Sequence, residues 1–314
     1  MSKNIISFLF LPLLLIGCNT KSEMTEDIEL VSAHFEHNRI FLDIESEDGD
    51  SIRLYTDTGG GKIIYAETAD QLRLEGKLVT RGGEELEVVD LAPILEARHL
   101  PPTVSPSIIY RGERIFDDNT GGMLGAIWFA DKIWRFDYQN QTLTWVQQVD
   151  WEKIPTEHRV ELGFISNMFG KHATHFPRIP IMVEGKTIQT LFDTGATAFL
   201  SDSASTYFDG ATSVGTSFMS ASVFDQWRAD HPEWSYIPKG DSLIQADMIE
   251  VPEVSIAGHT VGPVWFARRN DHNFAEFMSQ WMDEPIKGAI GGSCFQYFST
   301  ILIDYPKELL WMEK

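Results

Sequence analysis

Two aspartates in this chain stand in the same phrase, Leu54-Tyr55-Thr56-Asp57-Thr58-Gly59-Gly60 and again Leu191-Phe192-Asp193-Thr194-Gly195-Ala196-Thr197. Two carboxylates brought face to face cannot both ionise cheaply, so one pKa falls, the other rises, and the pair holds a single shared proton. Such a pair can draw a proton from water on one side while giving one to a leaving amine on the other, which is what peptide-bond hydrolysis needs. Which aspartate is base and which is acid belongs to the coupled pair rather than to either residue. Gly59 and Gly195 let the backbone turn sharply and pass close to the carboxylates. This chemistry calls for no cofactor and no metal.

The elements that must position these aspartates repeat as well. Ile40 to Ile44, a Gly49-Asp50 turn and Ser51 to Asp57 match Ile179 to Val183, a Gly185-Lys186 turn and Thr187 to Asp193. Each copy reads as strand, glycine turn, strand, Asp-Thr-Gly. Downstream, Gly122-Met123-Leu124-Gly125 leads to Phe136-Asp137 and Trp145, as Gly288-Ala289-Ile290-Gly291 leads to Ile303-Asp304 and Trp311. Such self-similarity over matched flanks marks a duplicated unit whose halves have diverged. Two half-sites in one chain point to one shared site and to a monomer.

Over residues 35 to 314 this pattern resembles the pepsin-like aspartic proteases, in which each lobe supplies one Asp-Thr-Gly loop and one later apolar-apolar-Gly segment. Ala196 gives the second loop a retropepsin-like look, and the spacing from Asp57 to Asp193 is short for a digestive pepsin, so a compact bacterial relative is the nearest description. The resemblance implies an all-β, bilobed fold of two duplicated β lobes, residues 30–150 and 151–314, with a cleft between them and a few short helices. It implies catalysis by Asp57 and Asp193, with Thr58 and Thr194 bonding across between the loops and Gly59 and Gly195 in support. The implied activity is an endopeptidase acting on peptides or proteins. The alternative is a catalytically silent lipoprotein that binds peptides or partners on the same fold; intact Asp-Thr-Gly in both loops favours the enzyme. A hairpin over Lys77 to Val89, turning at Arg81-Gly82-Gly83-Glu84, is the candidate flap and equally an ordinary surface hairpin. It lacks the flap tyrosine of pepsins, for which Tyr110 is a substitute from another loop.

At the N-terminus, Lys3 precedes an apolar run from Ile5 to Ile16 that is too short to span a bilayer and fits a signal peptide over residues 1–17. The ending Leu15-Ile16-Gly17-Cys18 looks like a bacterial lipobox, with Cys18 lipidated and residues 18–29 a polar tether. The expected location is the bacterial envelope, held to the membrane by lipid, and Asn19 in place of an aspartate points toward the outer membrane. The net charge of −21 argues against nucleic acid and anionic lipid surfaces. With two cysteines in the chain and Cys18 taken, Cys294 has no disulfide partner and reads as a buried structural thiol.

His158, His172 and His175 match no defined metal-ligand spacing, so no metal site is expected. Trp128, Trp134, Phe136 and Trp145 read as core and interlobe packing. Helices are expected near Ser166 to Lys171, over Ser220 to His231 and over Phe274 to Met282. Gly60 and Ala196 stand where pepsins carry a hydroxyl that bonds the carboxylate. Without that donor the pair should hold its proton to a less acidic pH.

Overall fold

The computed structural model describes residues 25–103, 105–112 and 120–314. The predicted signal peptide and Cys18 lie outside the described residues. Among those described, no helix is long and apolar enough to cross a membrane.

Three large sheets carry the chain. The N-terminal sheet has eight strands and the C-terminal sheet nine, and their centres are built alike. In the first, Ser51–Thr56 runs parallel to Thr120–Leu124, with Tyr55 opposite Met123 and Thr56 opposite Leu124. In the second, Lys186–Phe192 runs parallel to Gly288–Ile290, with Leu191 opposite Ala289 and Phe192 opposite Ile290. Each glycine-bearing strand also pairs antiparallel with a strand between its aspartate loop and itself, Ile63–Tyr65 in one half and Ser217–Ser220 in the other. The glycines are a packing requirement, since a side chain on Gly122 would lie 2.5 Å from the Ile63 carbonyl and one on Gly288 2.5 Å from that of Phe218. The expected class is therefore present: all-β, two duplicated lobes, with short helices added.

The third sheet, of six strands, joins the halves. Its seam pairs Ile133–Asp137 with Thr300–Asp304, Trp134 opposite Ile303 and Phe136 opposite Ile301. Trp128, Trp134 and Phe136 are fully buried around it. Trp128 and Trp134 lie 4.6 Å apart by ring centroid, and side chains of this size dominate a core through the apolar area they remove from water. The outermost strand on one side is Thr25–Val31, paired with Thr142–Val149. Regular structure thus begins inside the stretch read as a tether, because its backbone completes the edge of this sheet.

The hairpin of Lys77–Arg81 and Glu84–Val89 is present, turned at Gly82 and Gly83, both with positive φ as a two-residue turn of the I′ kind requires. It forms one edge of the N-terminal sheet, and its Leu78 is 71% exposed. Tyr110 packs edge-on against Tyr65 at 6.0 Å. The helix expected over Ser220 to His231 is Ala221–Asp230, burying Phe224 and Trp227. Phe274 to Met282 is helical but irregular, a π turn over Asn273–Met278 continuing as a 3-10 turn over Ser279–Trp281. No helix forms at Ser166 to Lys171. There the Asn167 side chain accepts from the backbone N–H groups of Phe169 and Lys171, and Gly170 takes a positive φ, so a side-chain-closed turn replaces the helix.

Candidate active site

The matched strands deliver the two Asp-Thr-Gly loops to one place. Asp57 N–H donates to the Leu124 carbonyl at 3.0 Å and Asp193 N–H to the Ile290 carbonyl at 2.9 Å, which ties each loop to the glycine-bearing strand of its own half. Within each loop the glycine amide turns back on its own aspartate: Gly59 N–H donates to Asp57 Oδ1 at 2.8 Å, and Gly195 N–H to Asp193 Oδ1 at 3.0 Å. The two carboxyl groups, each over nine-tenths buried, lie side by side, each packed against the other loop's glycine. Gly59 and Gly195 are the glycines this approach requires. A Cβ on Gly59 would lie 2.6 Å from Asp193 Cγ, and one on Gly195 2.0 Å from Asp57 Cγ.

Thr58 and Thr194 join the loops reciprocally. Thr58 N–H donates to Thr194 Oγ1 at 3.1 Å, and Thr194 N–H to Thr58 Oγ1 at 2.9 Å. Thr58 Oγ1 in turn donates to the Phe192 carbonyl at 2.8 Å. Both threonines are fully buried, so these bonds satisfy amides that would otherwise be stranded away from water, at a cost of about 1–3 kcal/mol each.

Burial pushes the Asp57 carboxyl up from its ordinary range, against the pull of Asp193 and of the Gly59 and Gly60 amides. Burial pushes Asp193 well above that range, and the neighbouring Asp57 charge and hydrogen bond push the same way, against the amides of Gly195 and Ala196. The pair is therefore built to keep a proton, shared between the two carboxyls. Three residues past each aspartate there is no side-chain donor, and the Gly60 and Ala196 N–H groups donate to the backbone carbonyls of Asp57 and Asp193 at 3.2 and 3.4 Å.

Tyr55 was not singled out by its sequence context, which reads as one more aromatic in a strand. Its hydroxyl crosses between the halves, donating to the Gly195 carbonyl at 2.9 Å and sharing a 2.7 Å hydrogen bond with Thr197 Oγ1. Burial, then the Asp57 charge, keeps this phenol neutral. Beside the Asp57 loop lies a cavity of about 450 Å³. Gly59, Gly60, Gly61 and Ile127 line one side, and His175, Phe176, Phe277, Met278 and Trp281 line the other. Its walls are largely apolar, and the irregular helical segment 273–281 supplies three of them. Cys294 is buried and free, with its thiol pushed far up by burial, as a structural role requires.

Two β lobes, each carrying an Asp-Thr-Gly loop on a matching strand and meeting at paired carboxyls, make up a bilobed fold of the pepsin-like aspartic protease class. No protein-family model matches the sequence, and no curated protein does. Among solved structures the chain is similar to an aspartic proteinase from Irpex lacteus, at 11% identity over 92% of this chain and 97% of that one, with a TM-score of 0.48. It is also similar to conglutin gamma, a unique basic 7S globulin from lupine seeds, at 8% identity, 92% and 95% coverage and a TM-score of 0.45. A third likeness, to a retropepsin-like aspartic protease from Rickettsia conorii, has 17% identity, covers 49% of this chain and 89% of that one, and has a TM-score of 0.29.

Proposed function

We propose that this protein is an aspartic endopeptidase that hydrolyses peptide bonds with water activated by Asp57 and Asp193, and that it works at the bacterial cell envelope, lipid-anchored through Cys18. The observation that carries the catalytic reading is the juxtaposition of two buried carboxyls, each packed against the other loop's glycine and each oriented by the amide of the glycine two residues on in its own loop. A water bridging the pair loses a proton to the ionised member and attacks the scissile carbonyl while the protonated member polarises its oxygen. The proton gained then passes to the leaving nitrogen, and both carboxyls return to their starting states. The apolar cavity beside Gly59 to Gly61 suits a non-polar side chain of an extended peptide held by its backbone. The anchoring part of the reading rests on the Leu15-Ile16-Gly17-Cys18 sequence.

The test is cleavage of a peptide library by the purified protein, beside its Asp193→Asn variant. Asp193→Asn is expected to lower kcat/KM by about 10²–10⁴-fold or more, since an amide cannot cycle a proton. Turnover retained in the variant ends this reading; binding of peptides without cleavage by the wild type favours the silent alternative. Thermal melts of the same pair give an independent check with a defined sign. Burial and the neighbouring Asp57 raise Asp193 in the folded chain well above the ordinary aspartate value of 3.8, at which the unfolded chain releases its proton. Wild-type stability from this group is thus full below that value and falls as pH rises toward the raised folded pKa. Asparagine carries no such dependence, so the variant should melt at a progressively higher temperature than the wild type as pH rises, with the gap closing in acid.

A further inference from the structure

We infer that Asp131, His172 and His175 form a binding site for a divalent transition-metal ion, one that the spacing of the histidines alone does not reveal. Asp131 lies in the N-terminal lobe, in the turn after the short helix Ala126–Phe129, with φ +59. His172 and His175 lie at the start of the C-terminal half, just ahead of the strand Arg178–Val183. One donor atom from each of the three lies within 4.8 Å of the others, close enough for small side-chain rotations to place them around one ion.

Two observations separate this group from a chance cluster. His172 is already oriented as metal-bound histidines are: its ring stacks on Phe164 at 4.3 Å and 18°, and its Nε2 is hydrogen-bonded to Glu308 Oε1 at 2.8 Å. A carboxylate holding one ring nitrogen fixes the imidazole and makes the other nitrogen more basic toward a metal. His175 supplies the second. Its Nδ1 is shut away from solvent and has no hydrogen-bond partner among the described residues, and leaving a buried polar atom unpaired costs about 1–3 kcal/mol. The segment bearing both histidines is pinned by Ala173 N–H on the Ile165 carbonyl at 2.8 Å and by Thr174 Oγ1 on the Trp281 carbonyl at 2.6 Å.

Two imidazoles and one carboxylate suit Zn²⁺ and its neighbours in the first transition row, and do not suit Mg²⁺ or Ca²⁺, which take oxygen donors. Three protein ligands leave a fourth position for water. The nearby Lys132 amine donates to the Trp128 and Ala130 carbonyls. The ion would tie Asp131 of the N-terminal half to two histidines of the C-terminal half, and His175 also lines the cavity beside the Asp57 loop. His158 and His259 provide an internal control, since their rings stack at 3.9 Å but each is bonded to a backbone carbonyl.

Calorimetric titration of the purified full chain with ZnCl₂ near neutral pH tests the site, with a readout independent of cleavage. One Zn²⁺ per chain is expected. Asp131→Asn and His175→Ala should each weaken binding at least about tenfold, and Glu308→Ala about 10–100-fold through loss of His172 orientation. His158→Ala should leave binding unchanged. Asp131→Asn keeps the fold testable, because asparagine tolerates the positive φ at this position. Zn²⁺ should also raise the melting temperature of the wild type and not that of Asp131→Asn. A wild type that binds no Zn²⁺, or binding undiminished in both Asp131→Asn and His175→Ala, overturns the site.

Discussion

The Asp57 and Asp193 loops share a phrase, a strand register and a set of backbone bonds, yet they are finished differently. Opposite positions on the two strands hold Tyr55 in one half and Leu191 in the other. Tyr55 reaches across to the Gly195 carbonyl, whereas Leu191 turns into an apolar cluster with Phe274 and Ile286. After the Asp57 loop the chain runs through Gly60 and Gly61 along an open cavity. After the Asp193 loop, Ala196 is buried and Thr197–Phe199 pairs at once with Ser213–Gly215. What each carboxyl needs locally is present twice: an amide donor, a close glycine, a threonine tie. What the pair needs once is present once, so the C-terminal loop is clamped and the N-terminal loop fronts the space where a ligand side chain can lie.

The largest disturbance of this balance is expected from the glycines that each loop presents to the other's aspartate. Gly195→Ala places a methyl 2.0 Å from Asp57 Cγ, so the carboxyl must move. A displacement of about 1 Å at a reacting group can cost about 10²-fold in rate, and overpacking of this kind costs about 1–3 kcal/mol. Gly59→Ala, at 2.6 Å from Asp193 Cγ, should follow in the same direction with a smaller loss. Peptide-cleavage kinetics and denaturant melts measure both, and equal, negligible losses would break the claim that the loops are held this close.

The tyrosine clamp should give an intermediate effect. Tyr55→Phe removes the donor to the half-buried Gly195 carbonyl and the partner of Thr197, two hydrogen bonds expected to contribute about 0.5–1.5 kcal/mol each to unfolding free energy. Leu191→Met, the corresponding change in the other half, keeps apolar volume and should cost less than about 1.5 kcal/mol. If the two variants lose the same stability, the asymmetry of the clamp carries no energy.

The smallest effect sharpens the electrostatic side. Ala196→Ser restores a hydroxyl beside Asp193, and a donor to the charged form lowers a carboxyl pKa. Even about 1 kcal/mol of added preference for the anion lowers it by somewhat under one unit. The acid limb of the kcat/KM profile should move to lower pH by that amount. The wild-type optimum, with both carboxyls raised by burial, is expected toward mildly acidic or neutral pH, and an optimum well below pH 4 would contradict it. Gly60→Ser is not an equivalent test, because its Cβ would lie 2.3 Å from Asp57 Oδ2.

The sequence carried the duplication, the paired aspartates, the glycine-bearing strands and the helix at Ala221–Asp230, because each is written in local pattern: period, turn glycines and a repeated phrase. Where the reading fell short, the decisive partner was remote or the local chemistry competed. Tyr55 looks like any strand aromatic until its hydroxyl meets residue 195, 140 positions away. Asn167 closes its own turn with its side chain, which apolar spacing does not register. Asp131 gains meaning only from His172 and His175, some forty residues on, once the fold brings the three together. The backbone from Thr25 joins a sheet whose pairing strand begins at Thr142.

The six-stranded seam also sets an order of events in synthesis. Ile133–Asp137 is made long before its partner Thr300–Asp304, and that partner lies beside Leu309–Glu313, which pairs in turn with Arg159–Glu161. Pairings this distant in sequence form late, because the intervening chain must be gathered before any contact repays the cost. A growing chain that has folded only its first half carries one lone aspartate, and an emerging second half still lacks the seam that holds the lobes in register. The two carboxyls therefore come together only after most of the chain has been made.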